Sequence, residues 1–402
     1  MKYKISKYSV VFNNEEIIIY NGINDKPEFL KFNKKDSSKI RPYLREKEIQ
    51  YVDTPIMNFL IKKDVLVDSE LNEANLVNYQ YNRQVYCANE LLLTIVPTDA
   101  CNMRCVYCYQ NHEPHFMQDS DYEAILKFIR YNMHKYKALQ IGWFGGEPLL
   151  CKDKIISFLK KANEICSFLK KPIRCEMITN GILLDLETFE SLLKLGVTSY
   201  QITIDGFEET HNKQRKTSYS SNGYQTIMNN LNNIKKSCKK RFDIMLRTNF
   251  MLEDTGKIKE FVIYLHGIFG SDDRFDFNLQ SIRNWGNHIE DRINITPYEN
   301  SAQFFGELFQ KGVDPLSKRI ANIKQICPAC STSYYFINWD LSIHKCSIAL
   351  HNNHKNSCIG KLSPKGCLEI DTHKESLWIE RGEVPRKCLD CNYYALCFSN
   401  TC

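Results

Sequence analysis

Three cysteines set close together are the residues of this sequence whose spacing points most directly to chemistry. They form the segment Cys101-Asn-Met-Arg-Cys105-Val-Tyr-Cys108. Three thiolates complete a tetrahedral zinc site only if a distant residue supplies the fourth ligand. They can instead hold three irons of a [4Fe–4S] cluster and leave the fourth iron open to a small chelating ligand. The spacing favours the cluster, with zinc as the alternative.

Cysteine is also unusually frequent, with 17 in 402 residues, of which nine lie within 327–402. The first residues, MKYKISKYSVVFNNEE, contain no apolar segment typical of a secretory signal, so we expect a cytoplasmic protein with reduced thiols. Clustered thiols in that compartment more often bind metal than form disulfides. A net charge of +6 is too small to indicate a nucleic-acid partner. The sequence contains no run of about 18 apolar residues, so no membrane span is predicted.

The segments that must position the three cysteines alternate between strand and helix patterns. The apolar run at 90–97, ELLLTIVP, is typical of a strand buried on both faces, and the cysteine loop follows it directly. Further strands are predicted at 139–145, 173–179, 200–204, 242–250 and 274–282, with helices at about 119–136, 153–167, 186–195, 222–236 and 254–266. This alternation predicts an α/β fold with a parallel sheet, whose strand C-terminal ends gather the reactive loops on one face.

The remaining patterns predict four parts in the chain. Residues 1–88 read as a small α+β domain, with two short strands around an Asn-Asn turn at 3–20. The alternating segment occupies 89–295, a helical connector 296–326, and a cysteine-rich, irregular domain 327–402.

Short motifs follow the next predicted strands in order. They are Gly145-Gly146-Glu147-Pro148 after the second strand, Thr179-Asn180-Gly181 after the third, and Thr203-Ile204-Asp205-Gly206 after the fourth, with Arg215 further on. Behind a CxxxCxxC segment, this order resembles the radical S-adenosylmethionine (SAM) enzymes over about 90–290. The resemblance implies a partial (β/α)6 TIM-type barrel. It also implies that SAM binds the open iron of a [4Fe–4S] cluster and is cleaved to a 5′-deoxyadenosyl radical.

The resemblance also assigns candidate site residues. Cys101, Cys105 and Cys108 would hold the cluster. The SAM contacts would come from Tyr107, Gly145, Gly146, Glu147, Asn180, Thr203 and Arg215. In the family the glycines let the backbone approach the methionine moiety, while the backbone and carboxylate of the glutamate receive its ammonium. Thr203 stands where serine is usual and keeps the hydroxyl. An electron donor such as flavodoxin or ferredoxin is implied.

The C-terminal cysteines resemble a SPASM domain, which holds two auxiliary [4Fe–4S] clusters. By position Cys327, Cys330, Cys346 and Cys402 would hold the nearer cluster, and Cys388, Cys391 and Cys397 the outer one. Cys358 or Cys367 would complete the outer cluster, unless one iron stays open. Leu341 replaces a usual glycine, so that turn must close without a residue that easily takes positive φ. A pair of zinc ribbons is the alternative.

Together these features predict a radical SAM/SPASM enzyme that modifies a ribosomally made precursor peptide through an oxidative thioether, ether or carbon–carbon crosslink. Residues 1–88 resemble leader-recognition domains, which add a leader peptide as an extra strand at a sheet edge. A plain capping domain is the alternative. A basic stretch in this part is more typical of a solvated loop than of a surface that meets an acidic leader; it comprises Lys31, Lys34, Lys35, Lys39, Arg41 and Arg45. The alternatives are a sulfatase-type maturase, a small-molecule radical SAM enzyme, and a non-enzymatic iron–sulfur or zinc scaffold or sensor. Ser347 stands where sulfatase maturases carry an aspartate proposed as base, and a serine is a poor base.

Overall fold

The computed structural model describes residues 1–24, 29–87, 89–218, 222–251, 255–285, 307–308, 310–313, 326–351, 356–380 and 382–398. The chain divides into two compact units. One comprises Met1–Cys87, Lys318–Thr332 and Ile379–Cys402, and the other Ala88–Ser317 and Ser333–Trp378. The segment predicted as one domain over 327–402 is therefore shared between the two units. Most of the predicted connector at 296–326 lies outside the described residues.

The first unit begins with two small antiparallel sheets and three helices. Its elements are β1 (Lys2–Ile5), β2 (Ser9–Asn13), β3 (Ile17–Asn21), β4 (Phe29–Phe32), α1 (Lys34–Arg45), β5 (Ile49–Gln50), α2 (Pro55–Lys62), β6 (Leu66–Asp68) and α3 (Glu73–Tyr86). The sheets have the strand orders β2-β3-β4 and β5-β1-β6. The hairpin β2–β3 turns at the Asn-Asn pair, but residues 3–20 hold three strands rather than the expected two.

The end of the chain completes the first unit. Tyr8, Val77 and Tyr81 form a buried cluster with Tyr394 and Phe398 from the C-terminal segment. Two polar contacts border this cluster: the Tyr8 hydroxyl donates to the carbonyl of Leu389 at 3.1 Å, and the Tyr394 hydroxyl donates to Asn78 Oδ1 at 2.7 Å. The short helices Arg386–Leu389 and Tyr394–Cys397 carry these partners.

The second unit is the predicted α/β fold. Its elements run in the order β7 (Glu90–Ile95), β8 (Met103–Cys105), α4 (Asp119–Asn132), β9 (Ala138–Trp143), α5 (Lys152–Phe168), β10 (Ile173–Thr179), α6 (Leu186–Lys194), β11 (Val197–Thr203), α7 (Glu208–Gln214), β12 (Arg215–Thr217), α8 (Gly223–Ser237), β13 (Asp243–Phe250), α9 (Thr255–Phe269) and β14 (Phe275–Ser281). Strands β7, β9, β10, β11, β13 and β14 are parallel and lie side by side in that order. The six predicted strands are thus confirmed as one sheet.

The two faces of this sheet differ because successive side chains of a strand point to opposite sides. On β10, Cys175, Met177 and Thr179 are buried, whereas Arg174 and Glu176 are exposed. The buried face packs under the helices: Trp143 of β9 meets Phe158 of α5 edge to face, with ring centroids 5.5 Å apart. The helices cover one face of the sheet, while the strand C-terminal ends stay available for the loops.

The segment after residue 333 is more regular than expected. It forms β15 (Tyr334–Ile337), β16 (Ser342–His344), α10 (Ser347–His351), β17 (Cys358–Leu362), β18 (Leu368–Ile370) and α11 (Thr372–Ile379). Strand β15 pairs parallel to β7, and β16–β18 continue the sheet antiparallel. Leu341 closes the β15–β16 turn at φ +64°, the left-handed conformation that glycine adopts more easily. No described helix combines the length and apolar character that crossing a membrane requires.

Candidate SAM and iron–sulfur site

The loop with the three cysteines follows the C-terminal end of β7, and part of this loop forms a short strand. Residues Met103–Cys105 form β8, which pairs antiparallel with β12 and places Arg215 opposite Cys105. Cys101, Cys105 and Cys108 are partly buried, and none of them is in a disulfide. Within the part of the chain that the structure describes, no group of three His, Cys, Asp or Glu side chains is arranged to hold a metal ion.

Burial raises the pKa of two of these thiols. It raises the pKa of Cys101 to about 11, with a further contribution from the Glu147 charge. Burial likewise raises the pKa of Cys105 to about 12, against the opposing effect of the Arg215 cation. A metal must displace these protons, since thiolate is the form that binds. Three sulfur donors on one loop are the ligand chemistry of an iron–sulfur cluster, so the residues present fit the implied group.

The two glycines after β9 allow their segment to lie directly against the cysteine loop. Gly145 has φ +123°. A Cβ atom at Gly146 would come within 2.2 Å of the Ala100 carbonyl oxygen. The backbone N–H of Gly146 donates to the Thr98 carbonyl at 3.1 Å, and that of Glu147 to the Ala100 carbonyl at 2.9 Å. The segment therefore supports the residues just before Cys101.

The carboxylate of Glu147 is fully buried and is engaged inside the protein. It accepts hydrogen bonds from the Thr179 hydroxyl at 2.7 Å, from the backbone N–H of Leu149 at 3.0 Å, and from that of Asn180 at 2.8 Å. Burial raises the pKa of Glu147, and these three donors oppose the rise. The side chain expected to receive the SAM ammonium thus joins the ends of β9 and β10.

Asn180 links this carboxylate to the cysteine loop. Its side-chain amide donates to Asn102 Oδ1 at 2.6 Å and lies 3.9 Å from Cys101 Sγ. The Nδ2 of Asn102 is buried without a hydrogen-bond partner. Sequence reasoning did not single out Asn102, which stands between two cluster candidates as an ordinary loop residue.

Tyr107 and Arg215, predicted to contact SAM, meet in a second buried network. The Tyr107 hydroxyl donates to Asp205 and accepts from Arg215 Nη1 at 2.7 Å and from Asn249 Nδ2 at 3.1 Å. Arg215 Nη1 also lies 3.7 Å from Asp205 Oδ2. Asp205 stood in a recognised motif without an assigned role, and its complete burial was not visible in the sequence.

Thr203 is buried at the end of β11, where it pairs in register with Arg247 of β13. Its hydroxyl is placed at the strand end, two residues before Asp205. Contact of Thr203, Tyr107 and Arg215 with SAM stays a prediction, as does that of Gly145, Gly146, Glu147 and Asn180.

The cysteines expected to hold auxiliary clusters are distributed over both units. The first unit contains Cys327, Cys330, Cys388, Cys391 and Cys397, and the second contains Cys346, Cys358 and Cys367. Cys402 lies outside the described residues. Their ligand roles stay predictions.

Ser347 occupies the position that argued against a sulfatase maturase. Ser347 is the first residue of α10, and its hydroxyl lies 3.1 Å from the hydroxyl of Tyr109. Tyr109 also meets the His351 ring edge to face, with centroids 5.7 Å apart. The site at this position therefore holds a hydroxyl pair rather than a carboxylate.

Three lysines of the basic stretch in the first unit lie close to acidic side chains. Lys31 Nζ lies 2.9 Å from Glu16, Lys34 Nζ lies 3.6 Å from Glu15, and Lys39 Nζ lies 3.6 Å from Asp36. These exposed pairs reduce the net positive field of the stretch.

Comparison with known proteins agrees with the fold and the motifs. Residues 95–262 match the Radical SAM superfamily. The serine-type anaerobic sulfatase-maturating enzyme of Bacteroides thetaiotaomicron is 31% identical over 165 residues, which are 37% of this chain and 37% of that protein. The chain spans about two fifths or less of the length of the curated relatives that it matches.

Two solved structures share the fold. Native anSMEcpe with bound AdoMet and Cp18Cys peptide is 18% identical, with a TM-score of 0.56 over 77% of this chain and 88% of that chain. Streptococcus suis SuiB bound to the precursor peptide SuiA is 15% identical, with a TM-score of 0.53 over 98% of this chain and 94% of that chain.

Proposed function

Because the chain carries a radical SAM domain over residues 95–262, we propose that it modifies a ribosomally synthesised precursor peptide by an oxidative crosslink. When bound, the cluster and SAM together supply a 5′-deoxyadenosyl radical that abstracts a hydrogen atom from the peptide. The new bond is a thioether, an ether or a carbon–carbon bond. The observation that carries the enzyme class is the three-cysteine loop, fixed at the strand ends by Gly146, Asn180 and Arg215.

The chain's own residues bind and orient the reactants in this proposal. Cys101, Cys105 and Cys108 ligate the cluster, and the backbone of Gly145 and Gly146 approaches the methionine moiety. Burial of the surrounding strand ends excludes water from the site. A flavodoxin or ferredoxin delivers the electron.

The peptide substrate is supported by the extent of the fold likeness. The likeness to SuiB covers 98% of this chain and so includes the first unit, whereas that to anSMEcpe covers 77%. Both of those proteins were solved with a bound peptide. A first unit that binds a leader peptide fits this coverage, and a small-molecule enzyme has no evident use for one.

Strand β4 is the edge we assign to the leader peptide. It pairs with β3 on one side and ends the β2-β3-β4 sheet of the described residues. A strand edge offers backbone N–H and C=O groups to an added strand. Since Lys31 and Lys34 already face Glu16 and Glu15, backbone pairing rather than charge supplies most of the binding.

Two auxiliary [4Fe–4S] clusters in the C-terminal segments complete the proposal. Cys327, Cys330, Cys346 and Cys402 would hold the nearer cluster, and Cys388, Cys391 and Cys397 the outer one. The clusters would supply an acceptor for the electron left over from bond formation, as a net two-electron oxidation requires. Epimerisation needs no net electron acceptor, so auxiliary clusters favour a crosslink.

The test is the intact mass of a short peptide encoded beside this gene, after anaerobic co-expression with the wild type or with Cys105→Ala. A loss of two hydrogen atoms, about 2 Da, or a multiple of it, with the wild type alone establishes the crosslinking function. An unchanged mass, also after growth in D₂O to detect epimerisation, rejects that peptide and favours the sulfatase-type or small-molecule reactions.

A further inference from the structure

Two buried carboxylates occupy equivalent places in the parallel sheet. Glu147 follows β9 and Asp205 follows β11, and both are 0% exposed. Each accepts a backbone N–H from the end of the next strand in the sheet: Asn180 donates to Glu147 at 2.8 Å, and Asn249 donates to Asp205 at 2.8 Å. The same device therefore appears twice, two strands apart.

Each carboxylate is connected to one end of the cysteine loop. From Glu147 the contact passes through Asn180, whose amide reaches Asn102 at 2.6 Å and Cys101 Sγ at 3.9 Å. From Asp205 it passes through Tyr107, which lies on the loop between Cys105 and Cys108 and donates to that carboxylate.

Arg215 closes the second connection. Its Nη1 donates to the Tyr107 hydroxyl at 2.7 Å, and its backbone belongs to β12, directly opposite Cys105. The loop is thus anchored at Cys101 by one carboxylate and at Cys105–Cys108 by the other.

We propose that Glu147 and Asp205 are positioning residues that clamp the cysteine loop before iron binds, and that neither carboxylate is a ligand of SAM. Each carboxylate already accepts three hydrogen bonds or ion-pair contacts from within the protein. Both carboxylates are also fully enclosed, so an ammonium could reach these oxygens only if the groups packed around them moved aside. The inference is independent of the peptide substrate, because the clamp acts in the chain without SAM or peptide.

The test compares Glu147→Gln and Asp205→Asn with the wild type in the full-length chain purified without iron. Glu147→Gln places an NH₂ group against a backbone N–H in either orientation of the amide, because each carboxylate oxygen of Glu147 accepts one. Asp205→Asn places its NH₂ group against the backbone N–H of Asn249 or against the Tyr107 hydroxyl. Alkylation rates of Cys101, Cys105 and Cys108 are mapped by mass spectrometry and normalised to the exposed Cys87. We expect the loop cysteines to react about tenfold faster in both variants, which corresponds to about 1.4 kcal/mol of lost clamping.

Asp185→Ala is the matched control. Asp185 caps α6 through the backbone N–H of Thr188 at 2.8 Å, so its loss weakens a helix of the same unit without touching the loop. We expect its loop-cysteine rates, and the EPR spectrum of its reconstituted cluster, to match the wild type. If the loop cysteines of Asp185→Ala are alkylated as fast as those of the two carboxylate variants, the faster reaction reflects general destabilisation of the unit, and the proposal is overturned.

SAM binding separates the clamp from a ligand role. One outcome is that Glu147→Gln keeps the wild-type alkylation rates but its reconstituted enzyme binds SAM at least tenfold more weakly. That outcome would show that the Glu147 side chain is a ligand of SAM and would overturn the proposal. If either variant fails to fold, Thr179→Val and Tyr107→Phe each remove a single donor to the same carboxylates. Both must then accelerate alkylation, and unchanged rates in both would overturn the clamp. Failure of the wild type to alter any peptide would affect only the proposed function.

Discussion

The closest backbone approach at the site gives the sharpest test of how the loop is held. In Gly146→Ala, the added Cβ would lie 2.2 Å from the Ala100 carbonyl oxygen and 2.3 Å from that of Asp99. Carbon–oxygen contacts in proteins are about 3.3 Å or longer. The backbone immediately before Cys101 must therefore retreat by about 1 Å, since carbonyl groups cannot rotate away as a side chain can.

Two hydrogen bonds cross this contact, from Gly146 N to Thr98 O at 3.1 Å and from Glu147 N to Ala100 O at 2.9 Å. Each contributes about 1 kcal/mol net, and overpacking adds about 1–3 kcal/mol. The local cost is therefore about 3–5 kcal/mol. We expect Gly146→Ala to lose most of its iron after reconstitution and nearly all 5′-deoxyadenosine formation.

Gly142→Ala is the control on the preceding strand. Its Cβ would lie 3.3 Å from Glu176 Oε1 and 3.4 Å from Thr94 Oγ1, both at the ends of side chains that can move. Its effect should stay within about 1 kcal/mol. Iron content, SAM cleavage and thermal stability are measured for both variants in parallel. Wild-type values for Gly146→Ala in all three would refute the close approach on which the reasoning depends.

Three further predictions concern single side chains. Cys105→Ala should abolish 5′-deoxyadenosine formation because two thiolates hold a [4Fe–4S] cluster poorly, whereas Cys87→Ala should not; retained SAM cleavage in Cys105→Ala would contradict the cluster assignment. Cys391→Ala should spare SAM cleavage but lower the yield of modified peptide, and an unchanged yield would remove this residue from the electron path. Burial, aided by the Arg215 charge, lowers the pKa of His211 to about 3, so the unfolded chain binds a proton below about pH 6.5 that the folded chain does not. His211 should therefore lower the free energy of unfolding by about 1.4 kcal/mol between about pH 7.5 and about pH 5.5. In urea unfolding, the free energy of unfolding of His211→Gln should fall by that much less than the wild type over the same pH range. The same fall in both proteins would contradict the lowered pKa of His211.

The parallel sheet was predictable because its signal is local. The run at 173–179 is strand β10 with the same bounds, and the other five strands lie within about three residues of their predicted ends. The start of α6 also agrees with the prediction, and its cause is local: the Asp185 side chain caps the helix by accepting the N–H of Thr188. These features depend on hydrophobic periodicity and on neighbours within one turn.

The pairings that were missed join distant parts of the chain. Strand β8 pairs with β12, and in this pair Cys105 lies opposite Arg215, which is 110 residues away in the sequence. Neither three-residue segment contains a pattern that predicts the other. Strand β15 joins β7 across the whole domain, although the sequence around it reads as irregular. Tertiary pairing sets such short strands, so composition and propensity do not reveal them.

The sequence predicted where the motif residues lie along the chain but not their hydrogen-bond partners. Glu147 and Asn180 follow β9 and β10, as expected, whereas Arg215 begins β12, a strand that the sequence did not predict. Their partners follow from burial: the sequence does not show that Glu147 is fully enclosed, or that Tyr107 shares its hydroxyl with Asp205 and Asn249. Hydrogen-bond partners depend on how strand ends line up across the sheet, which residue spacing alone does not fix.

The cluster formed by Tyr8, Val77, Tyr81, Tyr394 and Phe398 has a consequence for the order of events during synthesis. Domains commonly fold as they emerge from the ribosome, N-terminal first. Here the first unit cannot complete this part of its core until residues near 398 have been made, after the whole α/β unit. Until then, apolar side chains such as Tyr8, Val77 and Tyr81 stay exposed to solvent. A truncation that removes Tyr394 and Phe398 should therefore destabilise the packing of these early residues as well.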